Sequence, residues 1–273
     1  MIDAHHHLWQ YSAAAYPWIG HDMAVLKQDF LPARLGREMT AAGVEGAVTV
    51  QARQTLEETQ WLLEMAGAND FLMGVVGWVP LADPDCAVHL ERFAPHPKLK
   101  GVRHVVQDEP DDDFILGAGF QRGVGLLRQF SLVYDILIYE RHLPQSIRFV
   151  DAHPHQVFVL DHIAKPRIGD GAISPWRENL RELARRPHVY CKISGMATEA
   201  RRGWTPDDLR PYFDAALEAF GPHRLMFGSD WPVLLLAGEY APWAATVREW
   251  IRPLSQSEQR RILRETAISA YRL

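Results

Sequence analysis

Three histidines and one aspartate stand where a hydrolytic centre would need them. His5 and His7 lie two residues apart in an extended opening stretch, Ile2 to His7, so the strand pleat turns both imidazoles to one face, shared with Asp3. Such a pair can grip a divalent metal. His162 closes the run Val157-Phe158-Val159-Leu160-Asp161, and an imidazole at that position suits acid–base work. Asp230 follows Met226-Phe227-Gly228-Ser229 and precedes Trp231-Pro232, where a carboxylate can take a proton from water. Plainer uses stay open: a tag remnant or core hydrogen bonding for the paired histidines, orientation of Asp161 for His162, and a helix N-cap for Asp230.

Positioning these groups requires strands that end at one place. Eight apolar runs alternate with segments of helical spacing: Ile2 to His7, Val44 to Gln51, Gly74 to Val79, Gly101 to Val106, Leu132 to Tyr139, Val157 to His162, Val189 to Ser194 and Leu225 to Asp230. Their Val, Ile and Leu content fits parallel strands covered on both faces. The helical segments are Leu31 to Ala42, Glu57 to Ala68, Phe120 to Phe130, Pro144 to His153, Trp176 to Arg186, Asp207 to Phe220 and Trp243 to Trp250, with a weaker one over Asp83 to Ala94. Gly43 and Gly221 read as helix stops, and Ser255 with Glu258 as a capping box for a last helix reaching Tyr271. The pattern predicts an α/β protein, a single (β/α)8 TIM barrel formed by residues 1–273, with an open doubly wound sheet as the alternative. Leu8 to Phe30, rich in Trp and Tyr, is expected to fold over the barrel mouth.

In such a barrel chemistry sits at the carboxyl ends of the strands. Those ends carry Gln51, Arg53, Trp78, Arg103, His104, Tyr139, Lys165, Lys192 and Trp231 beside the four residues above. Arg53, Trp78, Arg103, His104, Tyr139, Lys192 and Trp231 are candidate substrate contacts, since forked guanidinium and phenol donors suit a hydroxylated or anionic small ligand. Each of the charged ones could equally be a structural ion pair.

Composition narrows the partners. The 273 residues are 47% hydrophobic, enough for a full core, and a net charge of -5 supplies no basic stripe for nucleic acid or anionic membrane. No signal-peptide pattern and no run of 18 apolar residues is visible. Two cysteines, Cys86 and Cys191, form no disulfide framework, which fits a cytoplasmic location. The oligomeric state is left open, a homo-oligomer included.

Taken together, Ile2-Asp3-Ala4-His5-His6-His7 as a first-strand HxH, Leu160-Asp161-His162 on the sixth strand and Phe227-Gly228-Ser229-Asp230-Trp231-Pro232 on the eighth make the chain resemble the amidohydrolase superfamily, of the amidohydrolase 2 type. More narrowly it is similar to the sugar-lactonase branch, the L-fuconolactonases and L-rhamnono-lactonases. Tyr16-Pro17-Trp18-Ile19, Val50-Gln51-Ala52-Arg53, Gly101-Val102-Arg103-His104 and Cys191-Lys192-Ile193-Ser194-Gly195 support that branch. The resemblance implies hydrolysis of a sugar lactone to its aldonic acid, with an L-fuconolactone-like substrate favoured and no organic cofactor.

A single divalent metal, zinc, would have His5, His7 and Asp230 as an incomplete set of ligands, and since related lactonases in the branch can work without metal, catalysis with one metal and without any are equally open. Metal-rich relatives add a fifth-strand histidine and, in binuclear cases, a fourth-strand carboxylated lysine or glutamate. Here the fifth run ends Tyr139-Glu140 and the fourth Arg103-His104, which disfavours a binuclear centre. Asp230 is expected to activate water, His162 to orient it or polarise the carbonyl, and Arg103, His104 or a metal to stabilise the oxyanion. The rival readings are a metal-dependent decarboxylase or hydratase of a small carboxylate, and a sugar-binding barrel without turnover.

Overall fold

A computed structural model describes all 273 residues. Eight strands follow one another around a single parallel sheet: β1 (Ile2–His6), β2 (Gly46–Val50), β3 (Leu72–Gly77), β4 (Leu99–Val105), β5 (Val133–Leu137), β6 (Phe158–Leu160), β7 (Val189–Ile193) and β8 (Leu225–Phe227). The sheet closes on itself. Just beyond β8, Trp231 pairs with His6 in parallel, and two backbone bonds join the edges, His7 N to Trp231 O at 2.7 Å and Asp230 N to His5 O at 2.8 Å. The eight predicted runs each overlap one strand, with ends shifted by a few residues.

Helices cover the outside: α1 (Pro32–Ala42), α2 (Leu56–Ala68), α3 (Cys86–Phe93), α4 (Ala118–Leu127), α5 (Leu143–Ala152), α6 (Trp176–Ala184), α7 (Pro206–Phe220) and α8 (Tyr240–Ile251). Gly43 ends α1 in the left-handed conformation, as its place in the sequence predicts. The final helix breaks into α9 (Gln256–Arg260), a π-helical turn over Arg261–Glu265, and α10 (Thr266–Tyr271), and Ser255 and Glu258 form the expected capping box. No helix is long and apolar enough to cross a membrane.

Two cores result. The large one fills the space between sheet and helices; the small one lies inside the barrel, where Ile2, Ala4, Val48, Val50, Val76, Val133, Val159 and Met226 meet Ala267, Ala270 and Tyr271 of α10. The last helix therefore plugs the barrel floor. The segment from Leu8 to Phe30 is anchored rather than loose: Trp9 pairs with Phe30, Trp18 Nε1 donates to Ala52 O, and Tyr16 donates to the buried Glu58.

One reading of strand parity is corrected here. The register of β1 against β2 shifts between Asp3 and His6, a bulge that places both Ala4 and His5 on the inside. Asp3 consequently faces away from the imidazoles, accepting from Tyr240 Oη at 2.9 Å on α8 and from Ser229 Oγ at 2.6 Å. Burial lifts its carboxyl to about 6 against those hydrogen bonds.

Above the inner apolar layer the lumen turns ionic. Tyr271 Oη reaches up from α10 and donates to Asp135 on β5, 2.9 and 2.8 Å from its two oxygens. Replacing Tyr271 by Phe should lower unfolding stability by about 1–3 kcal/mol in a denaturant titration, because it strips a donor from a buried carboxylate. A loss within error would show that the contact does not hold the plug.

Candidate active site

Lys192 from β7 extends into the lumen with no exposed surface and places Nζ 2.5 Å from Asp135 Oδ2 and 2.9 Å from Asp161 Oδ1. Arg103 from β4 bonds Asp161 Oδ2 at 2.9 Å, Gln51 Oε1 at 3.0 Å and Gln51 O at 2.5 Å. Two carboxylates thus neutralise two cations in a dry interior. His5 sits on this layer, its Nδ1 3.2 Å from Asp161 Oδ1 and 3.1 Å from Lys192 Nζ, its Nε2 3.3 Å from Arg103 Nη1. Burial drives its pKa well below the ordinary value; Asp161 opposes, and Lys192 and His162 add to the fall. Asp161 is the reverse case: burial pushes its carboxyl up, but Lys192, His5 and Arg103 hold it well below the usual range.

The next layer up gathers the histidines around Asp230. Asp230 Oδ1 lies 3.4 Å from His7 Nε2, 3.8 Å from His5 Nε2 and 3.9 Å from His162 Nε2. The strand-end residues of the opening expectation, His5, His7, His162 and Asp230, do converge. Burial works against ionised Asp230, yet His162, His7 and Lys165 together hold its pKa below 3.8. His162 is driven down to about 4, mostly by burial, with Asp230 and Asp161 opposing. At neutral pH the site therefore presents an anionic carboxylate beside a neutral imidazole. The other ring nitrogen of His162 contacts Ser194 Oγ at 2.9 Å. Gly195, at φ 65°, lies against the same ring so closely that a Cβ would fall 2.6 Å from Nδ1.

The donor set fits one divalent cation. His7 Nδ1 donates to Val50 O at 2.8 Å, which leaves Nε2 as a lone pair. That lone pair faces His5 Nε2 at 3.3 Å and Asp230 Oδ1, and the ligand atoms of all three residues lie within 4.8 Å of one another. Two imidazoles and a carboxylate are a zinc-like set. A second grouping, His5, Asp161 and His162, is as close, but Asp161 is already committed to Lys192 and Arg103. Arg103 Nη1 beside His5 Nε2 gives any cation here a cationic neighbour.

The residues expected to touch substrate fall into three surroundings. Arg103 and Lys192 lie in the ionic layer below the mouth, 3% and 0% exposed. His104 is held between Trp78 Nε1, which donates to its Nδ1 at 3.3 Å, and Glu109 at 2.6 Å, with Phe114 stacked on its ring; Trp231 is fully buried against Phe30. Arg53 covers the Tyr16 ring at 5.5 Å and lines a separate recess with Glu57, Glu58 and Trp61. Tyr139 alone of the group lines the cavity of about 440 Å³ that also contains Glu140, Arg141, Lys165, Arg167 and Glu199.

The amidohydrolase family model matches residues 2–273. The chain belongs to the amidohydrolase family. As an amidohydrolase it is 45% identical to an L-fucono-1,5-lactonase of Burkholderia multivorans, over all of this chain and 96% of that protein. It is 37% identical to an L-fucono-1,5-lactonase of Burkholderia ambifaria, over all of this chain and 95% of that one. A solved amidohydrolase structure from Burkholderia multivorans with bound zinc superposes with a TM-score of 0.96 at 45% identity, covering this whole chain and 99% of that one.

These pKa directions set a pH profile for the amidohydrolase. Lowering the pH through about 4 protonates His162, and Asp230 follows below 3.8, so activity is lost on the acid side and flat from about pH 5 to 8. An acid limb centred near the ordinary histidine value, about 6.5, in kcat/KM would contradict it.

Proposed function

We propose that this chain is a carboxylic-ester hydrolase that opens a sugar lactone to the aldonic acid, L-fucono-1,5-lactone being the favoured substrate, and that residues 1–273 act as one catalytic domain. The carrying observation is Asp230: an ionised carboxylate, 4% exposed, ringed by the imidazoles of His5, His7 and His162. The full-length similarity to two L-fucono-1,5-lactonases supports a lactone substrate over the decarboxylase, hydratase and pure-binding alternatives. Cys86 and Cys191 are both free and buried, which suits a reducing, cytoplasmic setting.

Asp230 takes a proton from water as its oxygen adds to the lactone carbonyl carbon. Neutral His162 accepts or donates a hydrogen bond to that water while Ser194 fixes its ring. The carbonyl π pair moves onto oxygen and then returns, breaking the bond from the carbonyl carbon to the ring oxygen. The departing oxygen takes back the proton from Asp230, so the residue is reset and the product is the hydroxy acid. A divalent cation held by His5, His7 and Asp230 would add Lewis-acid polarisation when bound. Tyr139 and the ionisable wall of the cavity meet the sugar hydroxyls.

A panel of aldonolactones assayed by acid release, with and without chelator, tests the reading. The expected result is turnover of L-fucono-1,5-lactone and its stereochemical neighbours, and a loss of about 10²–10⁴ in kcat for Asp230→Asn in a folded protein. Near-normal turnover by D230N would refute the assignment of the base.

A further inference from the structure

A carbonyl oxygen that gains negative charge needs a cation or fixed donors aimed at it. The cations nearest the lumen are already paired: Arg103 Nη1 and Nη2 donate to Asp161 and Gln51, and Lys192 pairs with Asp135 and Asp161. His104, the other expected oxyanion partner, donates its Nε2 proton to Glu109. Around the cavity, Arg167 pairs with Glu140 at 2.9 Å and Arg141 with Asp112 at 3.2 Å. Lys165 remains. It is half-buried, lines the cavity, forms no ion pair, and rests its ammonium 5.5 Å from the Tyr139 ring centroid.

The backbone explains where it points. His162, Ile163, Ala164 and Lys165 have φ of 54, 48, 62 and 46°, a left-handed turn made without a glycine. Each such residue is less favourable there than in the right-handed form, so the turn persists only where its surroundings dictate it. Here they do: Lys165 N donates to His162 O at 2.8 Å, Trp176 Nε1 donates to Ile163 O at 2.7 Å, and Ile163 and Ala164 are fully buried. One rigid turn thereby carries both the imidazole that faces Asp230 and the free ammonium of the cavity wall.

We propose that Lys165 is the electrophile of the reaction: its ammonium receives the lactone carbonyl oxygen as charge develops there and then holds the product carboxylate. The assignment rests on the lactonase reading. It uses the bond changes given above and adds no reactant; Lys165 stays protonated throughout and only its hydrogen bond strengthens as the carbonyl pair moves onto oxygen.

Lys165→Met and Lys165→Arg are assayed on L-fucono-1,5-lactone beside the wild-type enzyme, with circular dichroism and thermal midpoint as controls for folding. K165M should lose about 10²–10³ in kcat with KM changed less than about threefold, and inhibition by the aldonate product should weaken about tenfold. K165R should recover part of the loss, which a merely structural turn residue would not. A folded K165M with kcat within about threefold of wild type overturns the proposal. Should K165M fail to fold, Lys165→Gln is judged by the same two criteria. A wild-type chain that opens no aldonolactone sinks the lactonase reading and takes this assignment with it, whereas active wild type beside active K165M sinks the assignment alone.

Discussion

Everything at the mouth of this barrel stands on four charges buried beneath it. A barrel interior is ordinarily filled by layers of branched aliphatic side chains. Here one layer is Arg103, Asp135, Asp161 and Lys192, all 3% exposed or less. Such a set is self-consistent only when complete, since removing one partner of a buried pair costs about 3–5 kcal/mol. Completeness is secured from outside the sheet, because Tyr271 on the last helix supplies the donor to Asp135. The helix that plugs the barrel floor is thus tied to the groups that hold His5.

From that layer upward, geometry fixes charge. The bulge in β1 brings His5 inside and keeps His7 on the same side, so their Nε2 atoms face each other beside Asp230. Burial keeps His5 and His162 neutral, and His162, His7 and Lys165 in turn keep Asp230 ionised. An anionic carboxylate and a neutral histidine are the pair that the proposed activation of water on an ester requires. The reactivity of a lactone ester makes modest electrophilic help sufficient, which accords with a site whose cations are mostly consumed in structure.

The fold was legible in sequence because each strand is a short apolar run ending in a polar residue, and that rhythm survives shifts of a few positions. The convergence of His5, His7, His162 and Asp230 was legible for the same reason. Parity misled at Asp3, since a bulge leaves no mark in IDAHH. Asp135 was missed although it offered a signal: a lone carboxylate inside Leu132 to Tyr139 must be buried and paired, and Lys192 inside the seventh run has the matching charge. The left-handed turn at residues 162–165 had little signal, for in His-Ile-Ala-Lys only His162 is of a type that favours positive φ. Glu199, Arg167 and Glu140 belong to loops that only the closed barrel brings around one cavity.

The central claim is that Asp230 activates water instead of attacking the substrate itself, and one measurement reads it directly. A single turnover of L-fucono-1,5-lactone by excess enzyme in ¹⁸O-labelled water, followed by mass spectrometry of product and of the peptide containing Asp230, locates the incoming oxygen. The account predicts one labelled oxygen in the product carboxylate and none in Asp230. Label in the Asp230 side chain, or in the product hydroxyl, would contradict it.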